Sequence, residues 1–324
     1  MKPLVFIPEL IASCGLELLR TACDCVAPWE DGNPALEASQ LRGLLYEADA
    51  VIVRLFSITA QDLQKAGRLK VIAKHGVGVD NIDCQAATAR RIPVVYTPAV
   101  NTDAVAEYTL ALMLALSRQI NLASEALREG RFSERNRFQG VELTGKTLGI
   151  VGLGRISTRV AQIAALGFGM TVYAYDPYVS PAMYSGPATL VEELETLLRL
   201  ADFLSLHVPL TPGTARMINR QSLTLIKLGC RIINTSRGGV IDEDALILAL
   251  REGRLAGAAL DVFEEEPLPA DHPLCHAPNV LLTPHIAGLT QTSLERTALM
   301  AAQGILDVLH GKTPEHVVNP EALG

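Results

Sequence analysis

The run Thr147-Leu-Gly-Ile-Val-Gly-Leu-Gly-Arg-Ile-Ser157 constrains the fold of this chain more than any other segment. An apolar, strand-like stretch enters a turn with glycines at 152 and 154, and a helical pattern begins at once. A helix that follows a strand so closely carries the chain back to the strand's starting end, so the next strand lies parallel to the first. Later segments supply such partners. Strands are predicted at Thr171–Tyr175, Asp202–His207, Arg231–Thr235, Gly257–Leu260 and Val280–Thr283, with helical stretches near Ile156–Leu166, Leu190–Leu198 and Glu243–Arg251. An earlier series reads the same way. Leu4–Pro8, Asp49–Val53, Leu69–Ala73 and Pro93–Tyr96 are strand candidates, Cys23 and Cys25 share one face of a further possible strand, and Ile11–Arg20 is amphipathic.

Between the two series a single long helical segment is expected from Thr102 to about Arg128, with cap-like Asn101 and Thr102 at its start. One more amphipathic helix is expected from about Gln291 to Leu309. The fold class is therefore α/β in two domains. The second series forms a domain over 99–288, and the first forms one over 1–98, completed by 289–324 and so discontinuous in sequence. A length of 324 residues gives each domain enough chain for its own core.

Composition removes several function classes. The net charge is −7 and no stretch gathers five basic residues, which argues against a nucleic-acid or anionic-membrane partner. The most apolar helical stretch, Ala104–Leu116, is too short to span a bilayer and is interrupted by Glu107, Tyr108 and Thr109. The N-terminus lacks the apolar core of a signal peptide, so a cytoplasmic protein is expected. The six cysteines form no C-x-x-C pair and sit at no zinc spacing with histidines; no metal site is expected.

The glycine turn has specific chemistry. Gly152 permits the tight bend, and Gly154 lets the main chain approach a pyrophosphate. The N–H groups around Arg155 and Ile156, at the start of the helix, favour the anion. Asp176 ends the next strand, 22 residues beyond Gly154, where a carboxylate can accept both ribose hydroxyls of NAD and repel a 2′-phosphate. The pattern is that of a Rossmann-type dinucleotide-binding domain. Ser157 replaces the usual third small residue, and its hydroxyl is placed to bond back to a helix carbonyl.

Three later strands end in polar residues. Ser236-Arg237-Gly238-Gly239 follows one, Asp261 and Glu266 follow the next, and Pro284-His285 follows the third. Ligands of open parallel sheets bind outside the carboxyl ends of strands, so these residues can converge. Arginine holds a carboxylate in two parallel bonds, and histidine exchanges protons near neutral pH. Arg237 is assigned to a substrate carboxylate, His285 to acid–base work and Glu266 to the support of His285. His207 is expected to offer main-chain contacts. His75, His272, His276, His310 and His316 read as surface or loop residues, with His75 close to a substrate loop.

These residues, with Gly76–Asp83 (GVGVDNID), Asn101–Glu107 (NTDAVAE), His207–Thr211 (HVPLT), Asn234–Gly239, Asp261–Pro267 and Thr283–Gly288, resemble the D-isomer-specific 2-hydroxyacid dehydrogenases, nearest the phosphoglycerate dehydrogenase branch. The resemblance runs from about Val51 to the end. It implies an NAD-dependent enzyme that moves a hydride to or from C2 of a small D-2-hydroxy or 2-oxo acid. It also implies a smaller, flavodoxin-like α/β substrate domain, a cleft that closes over the substrate, and a homodimer formed largely through the cofactor domain. Arg237, Glu266 and His285 carry the family's catalytic roles. Val105, Gly152, Gly154, Arg155, Ile156, Asp176, His207, Val208, Pro209, Thr214, Thr235, Ser236, Arg237, Asp261, His285 and Gly288 fall at its cofactor-binding positions, with Asp261 on the nicotinamide carboxamide. Arg54 and the main chain of Gly76, Val77 and Gly78 fall at its substrate-binding positions. The chain ends soon after the returning helix, so no serine-binding regulatory domain is expected.

Two other classes share these residues. One is an NAD(H)-sensing, corepressor-like binding protein, which would bind NADH and turn over poorly. The other is a formate or phosphite dehydrogenase of the same fold, whose substrates lack a 2-oxo carbon. Phosphoglycerate, hydroxypyruvate and glyoxylate all remain open as substrates of the main reading.

Overall fold

A computed structural model describes residues 2–30 and 36–324. The chain folds into two units, one of Met1–Asn101 with Leu289–Gly324 and one of Thr102–Gly288. The first crossing thus falls a few residues beyond the Pro98 expected from sequence.

Among the described residues, unit 1 holds five parallel strands, β1 (Leu4–Phe6), β2 (Asp24–Val26), β3 (Ala50–Val53), β4 (Val71–Lys74) and β5 (Val94–Val95). Their order is β2-β1-β3-β4-β5. This is the flavodoxin-like doubly wound order, whose connections reverse direction between β1 and β3. Both faces of β3 and β4 are buried, which is why AVIV and VIAK read as continuous runs rather than alternating ones. Helices α1 (Ser13–Arg20), α2 (Ala38–Glu47), α3 (Ala60–Lys65) and α4 (Cys84–Ala89) connect them. Thr59 and Asp62 start α3 with a reciprocal capping box.

Unit 2 opens with a helix that the sequence pattern runs together as one. It is two: α5 (Thr102–Arg118) and α6 (Ile120–Arg128) meet at Gln119, whose φ of 52° is left-handed and breaks the helical bonding. Apolar periodicity continues through the break, so the sequence does not show it. Seven parallel strands follow: β6 (Thr147–Val151), β7 (Thr171–Tyr175), β8 (Thr189–Leu190), β9 (Phe203–Leu206), β10 (Cys230–Asn234), β11 (Leu255–Leu260) and β12 (Val280–Leu282), in the order β12-β11-β10-β9-β6-β7-β8. Direction reverses between β6 and β9. Helices α7 (Arg155–Phe168), α8 (Leu194–Leu200), α9 (Arg220–Leu225) and α10 (Glu243–Arg251) link them. The helix expected from Leu190 starts only at Leu194, because Leu190 pairs with Ala174 in the edge strand.

The last helix, α11 (Gln291–Leu309), belongs to unit 1. Its small residues Ala298, Ala301 and Ala302 are buried, and a Cβ on Gly15 of α1 would lie 2.7 Å from that of Ala298. The two helices therefore touch backbone to backbone at Gly15, and the discontinuous part of unit 1 is packed into its core. Among the described residues, no helix is long and apolar enough to cross a membrane.

Candidate active site

In unit 2, β6 leads into Gly152, whose φ of 87° suits glycine and where a Cβ would lie 2.7 Å from the His207 carbonyl oxygen. At Gly154 a Cβ would meet nothing within 4 Å, so the main chain there faces open space. Helix α7 starts next. Its first turn, from Arg155, has N–H groups without intrahelical partners. Ser157 is fully buried and its Oγ donates to the Gly154 carbonyl at 3.1 Å. Asp176 directly follows β7. Its Oδ2 accepts from the Leu153 N–H at 2.7 Å and its Oδ1 from the Tyr178 N–H at 2.9 Å. Each oxygen retains a lone pair for a further donor. His207, just past β9, meets Ser205 Oγ through Nε2 at 2.8 Å, and burial pulls its pKa down to about 4. Its ring is thus a neutral structural group. Val208 and Pro209 continue that strand end, where Thr214 Oγ1 donates to the Pro209 carbonyl.

The ends of β10, β11 and β12 carry the polar cluster. Asn234, fully buried, accepts from the Ser236 N–H (3.0 Å) and Oγ (2.7 Å) and donates to the Arg237 carbonyl at 2.9 Å. Arg237 Nη1 donates to the Ser236 carbonyl at 2.6 Å. Thr235 Oγ1 lies 3.0 Å from Thr109 Oγ1 on α5, one turn beyond the buried Val105. His285 Nδ1 lies 2.7 Å from Glu266 Oε2, while Glu266 Oε1 accepts from the Phe263 N–H at 3.1 Å. Burial pushes the Glu266 carboxyl up, but the His285 bond and charge, the Phe263 bond and the nearby Arg237 outweigh it, and the net shift is downward. Asp261 directly follows β11. It has no exposed surface, and its carboxylate accepts from Thr283 Oγ1 (2.6 Å), the Ile286 N–H (2.9 Å) and the Ala287 N–H (2.8 Å). It braces the loop that carries His285, whose φ is 54°. Gly288, three residues past His285, closes the unit.

In unit 1 the expected substrate residues lie at the ends of β3 and β4. Arg54 Nη1 donates to the Leu10 carbonyl at 2.8 Å, and its main-chain N–H reaches Glu9 Oε2 at 2.6 Å. Gly76 does not offer its N–H outward. That group donates to Thr97 Oγ1 at 2.9 Å, with φ at 146°, because Thr97 pins both the N–H and the carbonyl of Gly76. Val77 is exposed, and among the described residues no hydrogen bond engages the N–H of Val77 or Gly78. His75 is not a surface residue. It is buried at the end of β4, its Nε2 has no hydrogen-bond partner, and burial with the nearby Arg54 lowers its pKa to about 4.

Comparison with known proteins settles the family. Residues 110–287 match the model of the D-isomer specific 2-hydroxyacid dehydrogenase, NAD binding domain. A glyoxylate reductase of Thermofilum pendens is 41% identical over 99% of this chain and 96% of its own length. A D-3-phosphoglycerate dehydrogenase of Methanocaldococcus jannaschii is 44% identical over 88% of this chain, which spans about half (54%) of that relative. The crystal structure of D-lactate dehydrogenase from Aquifex aeolicus, complexed with NAD and lactic acid, superposes with a TM-score of 0.84 at 30% identity, covering 98% of this chain and 99% of that one.

This chain belongs to the D-isomer specific 2-hydroxyacid dehydrogenase family.

The family's cofactor fits the residues present. NAD needs close main-chain approach, free N–H groups and a ribose acceptor, and the open space at Gly154, the first turn of α7 and Asp176 meet those needs in turn. Two features of this chain escape a reading of its sequence. Asn234 organises the Arg237 loop through local bonds to Ser236 and Arg237, and its place three residues before Arg237 is a usable signal. Glu9 is farther from any motif, and it accepts from the main-chain N–H groups of Arg54, Leu55 and Phe56.

Proposed function

We propose that this protein interconverts a small D-2-hydroxy acid and its 2-oxo acid with NAD as the hydride carrier. The observation that carries the reading is the 2.7 Å contact between His285 Nδ1 and Glu266 Oε2, with Arg237 close enough to lower the Glu266 carboxyl. Because Nδ1 is committed to Glu266, Nε2 is the atom that gives or takes the proton at the substrate oxygen. The ionised Glu266 fixes the ring and favours the charged imidazole during transfer. Arg237 holds the substrate carboxylate, and its loop is set by Asn234. The main chain at Val77 and Gly78, whose N–H groups no hydrogen bond engages among the described residues, is proposed as a further substrate-binding element. When bound, NAD supplies or accepts the hydride at C2. In the direction of reduction, His285 protonates the developing alkoxide; in oxidation it removes the hydroxyl proton.

Glyoxylate, hydroxypyruvate and phosphohydroxypyruvate are the substrates proposed first. A homodimer is proposed through α6, whose Ile120, Leu122 and Leu127 are exposed together with the nearby Phe132. The cytoplasm is the proposed location, a reducing compartment that suits six free thiols. The test follows NADH and NADPH absorbance with a panel of 2-oxo acids, using His285→Ala as the control. Turnover on one acid with NADH, lost in the variant, is expected. Tight NADH binding with no turnover on any acid would overturn the reading.

A further inference from the structure

Unit 1 reverses its winding between β1 and β3, and doubly wound sheets take ligands in the crevice beyond the strand ends at such a point. Glu9 follows β1 and Arg54 follows β3. At this place three successive main-chain N–H groups converge on one carboxylate. Arg54 N lies 2.6 Å from Glu9 Oε2, Leu55 N lies 2.8 Å from Oε1, and Phe56 N lies 3.0 Å from Oε2. The same loop is held from its carbonyl side. Lys74 Nζ donates to the Arg54 carbonyl, and Asn81 Nδ2 donates to the Phe56 carbonyl at 2.7 Å and to that of Arg54 at 3.3 Å. With its three N–H groups and the Arg54 and Phe56 carbonyls engaged, the loop is a fixed platform, yet Leu55 is 64% exposed and Arg54 is half-buried.

We propose that Glu9 is a positioning residue for substrate specificity: it fixes the Arg54–Phe56 loop that meets the part of the substrate beyond C2. Charge-assisted bonds from main-chain N–H groups to a carboxylate are about twice as strong as neutral ones. A single ionised side chain thereby decides where Arg54 and Leu55 stand. The inference rests on the 2-oxo acid reading above and adds a prediction that reading does not make. Glyoxylate has no carbon beyond C2 except its carboxylate, so it does not use the platform; hydroxypyruvate and phosphohydroxypyruvate do.

The test compares Glu9→Gln and Glu9→Ala with the wild type on glyoxylate and hydroxypyruvate, in the full chain with NADH. The expected result is a KM for hydroxypyruvate raised about tenfold in Glu9→Ala, with kcat within about twofold and glyoxylate constants within about twofold. Glu9→Gln keeps one acceptor oxygen and is expected to fall between them. NADH titration by fluorescence checks that unit 2 is intact, and if Glu9→Ala does not fold, Glu9→Gln decides alone. Equal loss on both substrates, or no change in their ratio, would overturn the proposal. So would a wild type that turns over glyoxylate alone, since no platform then operates. A wild type silent on every 2-oxo acid would instead sink the dehydrogenase reading, which keeps the two failures apart.

Discussion

His285 Nδ1 and Glu266 Oε2 lie 2.7 Å apart although β11 and β12 deliver them from different loops. The parallel register of Leu260 with Leu282 brings the two strand ends level, and Asp261 ties down the loop between β12 and Gly288. The proposed proton transfer would therefore depend on a pair whose geometry is set by the sheet.

Removing either partner should separate their roles. His285→Ala is expected to lower kcat by about 100- to 10,000-fold while leaving NADH affinity within a few fold. Glu266→Gln keeps a hydrogen bond but not the charge, so a smaller loss is expected. The Glu266 carboxyl is held below its ordinary value, so its contribution to stability is complete above that value and disappears as pH falls through the lower folded one. The gap in Tm between wild type and Glu266→Gln should close in acid. Steady-state kinetics and melting curves across pH check both points; a gap that widens on acidification would contradict the sign.

Asp261 is a brace with three donors on it. Asp261→Ala leaves those donors unpaired in a site with no exposed surface, at about 1–3 kcal/mol each. Urea unfolding should show a clearly lower midpoint, and activity should fall because His285 loses its position. A variant with wild-type stability would mean that the loop finds other partners.

Asp176 holds the glycine turn through the Leu153 N–H, beside its proposed part at the NAD ribose. A simple switch of cofactor preference is therefore not expected from Asp176→Ala. Fluorescence titration should show weaker binding of both NADH and NADPH. A gain in NADPH affinity would contradict the turn-holding role.

His75 is neutral when folded and has a pKa of about 4 there, against about 6.5 when unfolded. The unfolded chain binds the proton first as pH falls. Stability should accordingly drop between about pH 6.5 and pH 4, by up to about 3 kcal/mol from this residue, and level off below. His75→Gln should flatten that slope in chemical denaturation measured across pH. An unchanged slope would assign the effect to His207, which is shifted in the same direction by burial.

Gly238 faces Phe263, where a Cβ would come within 1.8 Å of a main-chain carbon. Backbone cannot yield that much, so Gly238→Ala is expected to cost about 3 kcal/mol or more and to displace Arg237. Melting temperature and KM for the 2-oxo acid should change together; a stable variant with normal KM would show that the two loops move freely.

What the sequence determined by itself is local and chemical. The order of strand, glycine turn and helix from Thr147 to Ser157 specifies a parallel sheet whose helix opens directly after the turn, because only those dihedrals fit that string of residues. Thr147–Val151, Thr171–Tyr175, Glu243–Arg251 and Gln291–Leu309 form where periodicity places them, since each buries an apolar face whatever its partner. The meeting of Glu266 and His285 was legible because each follows a strand end. The tertiary structure alone decided what depends on distant atoms. It turned the Gly76 N–H toward Thr97, tied the His285 loop to Asp261, broke the α5–α6 helix at Gln119 and buried His75. It also brought Glu9 to Arg54, 45 residues away, because β1 and β3 are neighbours in the sheet. A hydrogen bond across such a distance leaves no mark on either local sequence: its energy comes from a geometry that exists only once the strands have paired.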